Sequence, residues 1–186
     1  MSAPAFSFTA PVLDGESSTI TLGGFQLTAT IHDDPDAGTP WENSDGHGEV
    51  TGWERRDKRP GERILNSDRD GSKRFYDYAG AVARALAENW DTAPYGQGTP
   101  GERAARAADA DFEYLRAWCN SEWRYVGVAV TVSKNGIQLT GQYDHALWGI
   151  EDTADAHLAE TATDLAPQAL EAAQQALEGL CAPVPA

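Results

Sequence analysis

The chain has 186 residues, 41% of them hydrophobic, with six Trp, six Tyr and five Phe, a composition that excludes a disordered chain and suffices for one domain with a buried core. A formal charge of −15 argues against a protein that coats nucleic acid or anionic membrane. No apolar run nears the ~18 residues of a membrane span, and "MSAPAFSFTAPV" has no basic stretch of the kind that opens a signal peptide. The expectation is therefore a soluble protein of the cytoplasm.

In chain order, "STITLGGFQLTATI" (18–31) alternates apolar and polar residues on either side of Gly23–Gly24, which predicts a hairpin. Residues 32–62 lack periodicity and are rich in Pro, Gly and Asp, so they read as a long loop, pinned by Trp41 and Trp53. A first helix is predicted over 73–90, started by Asp70, Gly71 and Ser72 and patterned by Ala81, Val82, Ala85, Leu86 and Trp90. Residues 91–101 read as a loop. A second helix begins at Thr99, with Pro100 at its first position and Glu102 set to complete a capping box. Its apolar face runs Ala104, Ala105, Ala108, Phe112, Leu115, Trp118 and Cys119. "YVGVAVTV" (125–132) is the strongest strand, turned by Asn135–Gly136 into 137–142, with a third strand at 146–150. A last helix runs from about 152 to 180, bent at Pro167, with an apolar face of Leu158, Ala162, Leu165, Ala169, Leu170, Ala173, Ala176, Leu177 and Leu180. The predicted architecture is α+β: an antiparallel sheet of hairpins packed by three amphipathic helices. It forms a single domain, 1–186, made of an N-terminal hairpin (1–35), a long loop (36–72) and a helix–helix–sheet–helix core (73–186).

Charge is segregated along the chain. Residues 1–50 hold eight acids and no Lys or Arg, and residues 125–186 hold eight acids and one base, Lys134. Between them, "WERRDKRPGERI" brings Arg55, Arg56, Lys58, Arg59 and Arg63 within nine residues. Asp57, Glu62, Asp68 and Asp70 dilute that cluster, so it reads as a clamp rather than a phosphate arm. In this reading Arg55, Arg56, Arg59 and Arg63 pair with acids of the neighbouring ends and hold the long loop down, each exposed pair contributing ~0–1 kcal/mol. On the last helix, Glu160, Asp164, Glu171 and Glu178 lie within ~40° of one another, opposite the apolar face. The 27 residues from Asp152 to Glu178 span roughly 40 Å and carry six carboxylates, about one per 7 Å, against one charge per ~1.7 Å in duplex DNA. The helix alone is a poor copy of nucleic acid.

"NSDRDGSKRFYD" (66–77) matches a calcium loop in outline, with Asn66, Asp68 and Asp70 at positions 1, 3 and 5, Gly71 at 6 and Asp77 at 12. Arg69, Lys73 and Arg74 put three cations in it, and the simpler reading is an Asp/Gly turn before a helix cap. No metal or cofactor is expected. "DGHG" (45–48) places Asp45 and His47 as an acid–base pair would need them, and these two are the candidate catalytic residues, although Asp-Gly steps are first of all turn formers. Trp123 and Tyr125 have only Arg116 and Arg124 near in sequence, which argues against base stacking in a positive groove. Cys119 and Cys181 read as two buried free thiols.

The stretches "PWENSDGHGEVTGWERRDKRPGERIL", "SDRDGSKRFYDYAGAV", "DFEYLRAWCNSEWRYVGVAVTVS" and "LWGIED" resemble a family of accessory proteins from bacteriophages, prophages and other mobile elements of GC-rich bacteria, one with no established activity. The resemblance covers about residues 40–180. The relatives' turn reads Ser-Asp-Arg-Gly-Ser, one residue shorter than here, a deletion that a calcium loop would not survive; the loop at 91–101 is short here, and residues 1–35 have no match. No catalytic residue carries over. Mobile-element accessory proteins often act against host defence, so the resemblance implies a non-catalytic protein that covers the basic surface of a host complex, an anti-CRISPR or anti-restriction role, through Glu160, Asp164, Glu171 and Glu178. Two alternatives stand beside it. One is a small enzyme acting on a phosphate-bearing substrate through Asp45 and His47. The other is a structural or assembly protein of a phage particle.

Overall fold

The computed structural model describes residues 7–8, 17–44, 46–90 and 97–181. The fold is α+β with antiparallel strand pairing, in two sheets rather than the one expected: a five-stranded sheet and a two-stranded sheet. The chain gathers into two compact units, Met1–Ala37 with Arg124–Ala186, and Gly38–Trp123.

In the first unit, β1 (Ser17–Leu22) and β2 (Phe25–Asp33) form the predicted hairpin, with Gly23 and Gly24 both at positive φ. β2 pairs along its length with β5 (Tyr125–Lys134), Ala29 opposite Val130. The turn at Asn135–Gly136 also takes left-handed backbone. It returns the chain to a two-residue strand, β6 (Ile137–Gln138), instead of one reaching 142. β7 (Ala146–Glu151) pairs with the other end of the same edge of β5. One face of this sheet, Leu27, Ala29, Ile31, Val126, Val128, Val130 and Val132, is buried under α4 (Asp155–Cys181). α4 begins three residues later than expected and runs through Pro167. Its fully buried row is Leu158, Ala162, Ala166, Ala169 and Ala173, while Leu165, Leu170 and Leu177 are only partly buried and Leu180 is exposed. Alanines at that row let the helix lie close on the β-branched surface below it.

The second unit corrects the expected long loop and the first predicted helix. Residues 73–77 are a strand, not a helix. β3 (Glu62–Ser67) and β4 (Lys73–Asp77) form a hairpin, and α2 (Tyr78–Glu88) starts only after it, with Asp77 capping it by accepting from the Gly80 N–H at 2.9 Å. The Asp70–Gly71 turn joins two strands: Asp70 accepts from the Ser72 N–H and hydroxyl, and Gly71 is at φ 85°. A short helix, α1 (Pro40–Asn43), and bridges of Val50 to Tyr76 and Glu54 to Lys73 bind much of the supposed loop to β4. α3 (Pro100–Cys119) has the predicted capping box, with Thr99 and Glu102 bonding reciprocally. It packs on α2 and on β3 around Leu65, Tyr76, Ala81, Ala108, Phe112 and Leu115.

Three arginines of the basic cluster, Arg55, Arg56 and Arg63, pair with acids, and those partners belong to this same unit rather than to the acidic ends. Arg56 meets Glu54 and both oxygens of Glu62, at 2.6 and 2.8 Å, and lays its guanidinium 3.9 Å from the Phe75 ring centre. Arg63 pairs with Asp109 at 2.6 Å and covers Tyr78. Arg55 reaches Asp70, and the Arg59 N–H donates to Glu62. The Arg56 guanidinium, helped by the Arg59 N–H, holds the Glu62 carboxyl down to about 2 from an ordinary 4.5. A carboxyl depressed on folding contributes stability that is complete above its ordinary value and is lost as pH falls toward its folded one. The unfolding midpoint is therefore expected to fall more steeply between about pH 4.5 and 2 in the wild type than in Glu62→Gln. Equal slopes in a denaturant titration would show that the pair contributes nothing.

Candidate functional site

The second unit assembles a polar centre around one carboxylate. Asp111 sits on α3 between Ala108 and Leu115, on the helix face turned to the core, with a side chain 9% exposed. A carboxylate there needs partners, and three donors converge on it. His47 Nδ1 lies 2.5 Å from Oδ1. The Tyr76 hydroxyl donates to Oδ2 at 2.6 Å, and the Gly48 N–H donates to the same oxygen at 2.8 Å. Because a carboxylate only accepts, the Nδ1 position carries a proton.

Each donor is placed by its own element. Tyr76, fully buried, comes from β4, where Thr51 N to Phe75 O and Asp77 N to Glu49 O fasten residues 49–51 alongside. Burial first, then the bond to Asp111, pushes the Tyr76 phenol far above its ordinary range, so it stays a donor. Gly48 passes so near this ring that a Cβ would lie 2.6 Å from it. The His47 ring stacks on Tyr114, centroids 5.5 Å apart and planes within 11°, and Tyr114 in turn packs on Trp123. The Arg84 guanidinium donates to the His47 carbonyl at 3.0 Å.

His47 lines a cleft of about 330 Å³ together with Trp41, Ser44, Gly48, Glu49, Val50 and Arg84. A second cleft of about 540 Å³ shares Glu49 and Val50 and is lined by Glu54, Arg59, Glu62 and Asp77. Of the two candidate catalytic residues, His47 is therefore seated in a cleft against an acid, but the acid is Asp111, 64 positions away. Asp45 lies outside the described residues. Asp111, Tyr76, Tyr114 and Arg84 escaped the sequence reading. Asp111 left one usable signal, an acid in step with Ala104, Ala108 and Leu115 on an apolar stripe.

The four acidic candidates stand apart from this centre. Glu160, Asp164, Glu171 and Glu178 are all exposed along α4 in the first unit. That unit's sequence carries thirteen acids against two bases, a formal −11 of the chain's −15. Arg124 is held by Asp33 at 2.8 Å and by Asp152, and Lys134 sits over the Phe25 ring. Of the thiols, Cys119 is half-buried and free, its pKa raised by burial; the Cys181 side chain is outside the description. No family model matches the chain, and no match was found among curated proteins or solved structures.

Proposed function

We propose that the protein works by binding another protein, laying the acidic surface of its first unit on a basic surface that otherwise holds nucleic acid. The observation that carries this reading is the −11 of that unit, whose two bases are already engaged with Asp33, Asp152 and Phe25. Such a field steers a basic partner and repels nucleic acid and anionic lipid. In keeping with this, no helix among the described residues is long and apolar enough to cross a membrane. The resemblance to mobile-element accessory proteins supplies the setting, a host defence complex in the bacterial cytoplasm. The stripe on α4 contributes as part of a field, since its carboxylates are too widely spaced to copy DNA unaided.

The test is capture of host cytoplasmic proteins on the wild type and on a variant carrying Glu160→Lys, Asp164→Lys, Glu171→Lys and Glu178→Lys. Rim charges contribute ~0.5 kcal/mol each, and reversal roughly doubles the effect, so the four changes together are expected to lower affinity about 1,000-fold. Binding should also drop steeply as salt rises and shortens the screening length. A partner retained equally by both proteins, and equally at low and high salt, would remove the acidic face from the account.

A further inference from the structure

We propose that the cleft beside His47 is a hydrolytic site for a small phosphodiester, with His47 as its general base. It concerns the second unit and stands whether or not the acidic face binds a protein.

The pairing with Asp111 decides which ring nitrogen does the work. Asp111 accepts a hydrogen bond from the Nδ1–H, so the neutral ring carries its lone pair on Nε2. The acid is itself fixed by Tyr76 and Gly48, and the ring by its stacking on Tyr114, so the base is held in one orientation before substrate arrives. The cleft of about 330 Å³ falls in the range of small-molecule sites. Arg84 is the one Lys or Arg of its lining, placed beside the imidazole by its bond to the His47 carbonyl, and a guanidinium suits phosphate oxygens. The same guanidinium is paired with Glu88 at 3.2 Å, and Glu49 adds a carboxylate to the lining, so Arg84, Glu88 and Glu49 together carry a formal −1. Carboxylates so placed repel a dianion more than a monoanion, hence a phosphomonoester more than a phosphodiester.

In the reaction a water oxygen forms a bond to phosphorus while His47 Nε2 takes the water proton. The bond from phosphorus to the leaving oxygen breaks, and that oxygen takes the proton from the imidazolium. The products are a phosphomonoester and an alcohol, and His47 returns to its neutral form. Asp111 and Tyr76 are positioning residues in this scheme.

The assay uses the full chain with bis(p-nitrophenyl) phosphate, p-nitrophenyl phosphate and p-nitrophenyl acetate. Turnover of the diester above an enzyme-free blank, and faster than of the monoester, is expected. His47→Asn keeps an N–H near the Nδ1 position for Asp111 and removes Nε2, so it should lower kcat by about 100-fold or more at an unchanged melting temperature. Arg84→Met should mainly raise KM. If His47→Asn fails to fold, acylation of wild-type histidines by diethyl pyrocarbonate must abolish turnover, and inorganic phosphate must protect. No diester turnover, turnover of the acetate alone, an active His47→Asn, or acylated protein that stays active would each overturn the proposal.

Discussion

Asp111→Ala is expected to destabilise the protein by about 3 kcal/mol, read as a lower urea midpoint at unchanged slope. The substitution strips an acceptor from three donors at once. The Tyr76 hydroxyl and the Gly48 N–H are in a place that water does not fill, since both residues are buried. An orphaned buried donor costs about 1–3 kcal/mol: the Gly48 N–H is left without its acceptor, and the Tyr76 hydroxyl keeps only a long contact to the Ala108 carbonyl at 3.4 Å. His47 suffers less, because its side chain is 16% exposed and water can replace the carboxylate. Tyr76→Phe in the Asp111→Ala background removes one orphan, so the double variant should recover about 1 kcal/mol relative to additivity. Strict additivity, or a loss below about 1 kcal/mol, would mean that the three bonds to Asp111 hold nothing together.

The parts of the fold legible in the sequence are those whose cause is local. Alternation over Phe25, Leu27, Ala29 and Ile31 marks a strand with one face buried, and the pleat delivers that face to α4. Thr99, Pro100 and Glu102 specify a helix start by bonds three residues long. β4 was not legible because its two successive apolar residues, Phe75 and Tyr76, are both fully buried, on opposite faces. The Phe75 side is covered by Arg56 and the Tyr76 side meets Phe112 and Asp111, partners 19 to 36 positions away. Without those covers in view, "SKRFYDY" runs smoothly into the helical spacing that begins at Ala81. The same reason explains the site. "DGHG" draws attention to His47, and nothing adjacent in the chain reveals that its acid stands on α3. The Arg cluster shows the limit of charge counting: its pairs form with Glu54, Glu62, Asp70 and Asp109, and geometry within one unit, not the long-range excess of acid at the ends, decides them.

Two glycines that sit against aromatic rings should respond oppositely to the same change. At Gly48 an added Cβ would lie 2.6 Å from the Tyr76 ring, and at Gly127 it would lie 2.2 Å from the Trp148 ring. Distance alone ranks Gly127 as the worse site. What decides the cost is whether the ring can move. Tyr76 is fully buried, packed on Phe112 and tied by its hydroxyl to Asp111, so Gly48→Ala must push the loop away and break the Gly48 and His47 bonds with it. A loss of about 2–3 kcal/mol is expected, as for overpacking of a rigid core. Trp148 is 42% exposed and meets His32 and Tyr143 at tilted angles, so its ring can swing into water. Gly127 is the third residue of β5, where alanine restricts the unfolded chain more than glycine does, by about 0.5–1 kcal/mol. Gly127→Ala is therefore expected to stay within about 1 kcal/mol of the wild type while shifting tryptophan fluorescence toward the solvent-exposed form. Urea titrations of the two variants side by side check this, and a costly Gly127→Ala beside a neutral Gly48→Ala would show that the centre around Asp111 yields more easily than the open edge of the sheet.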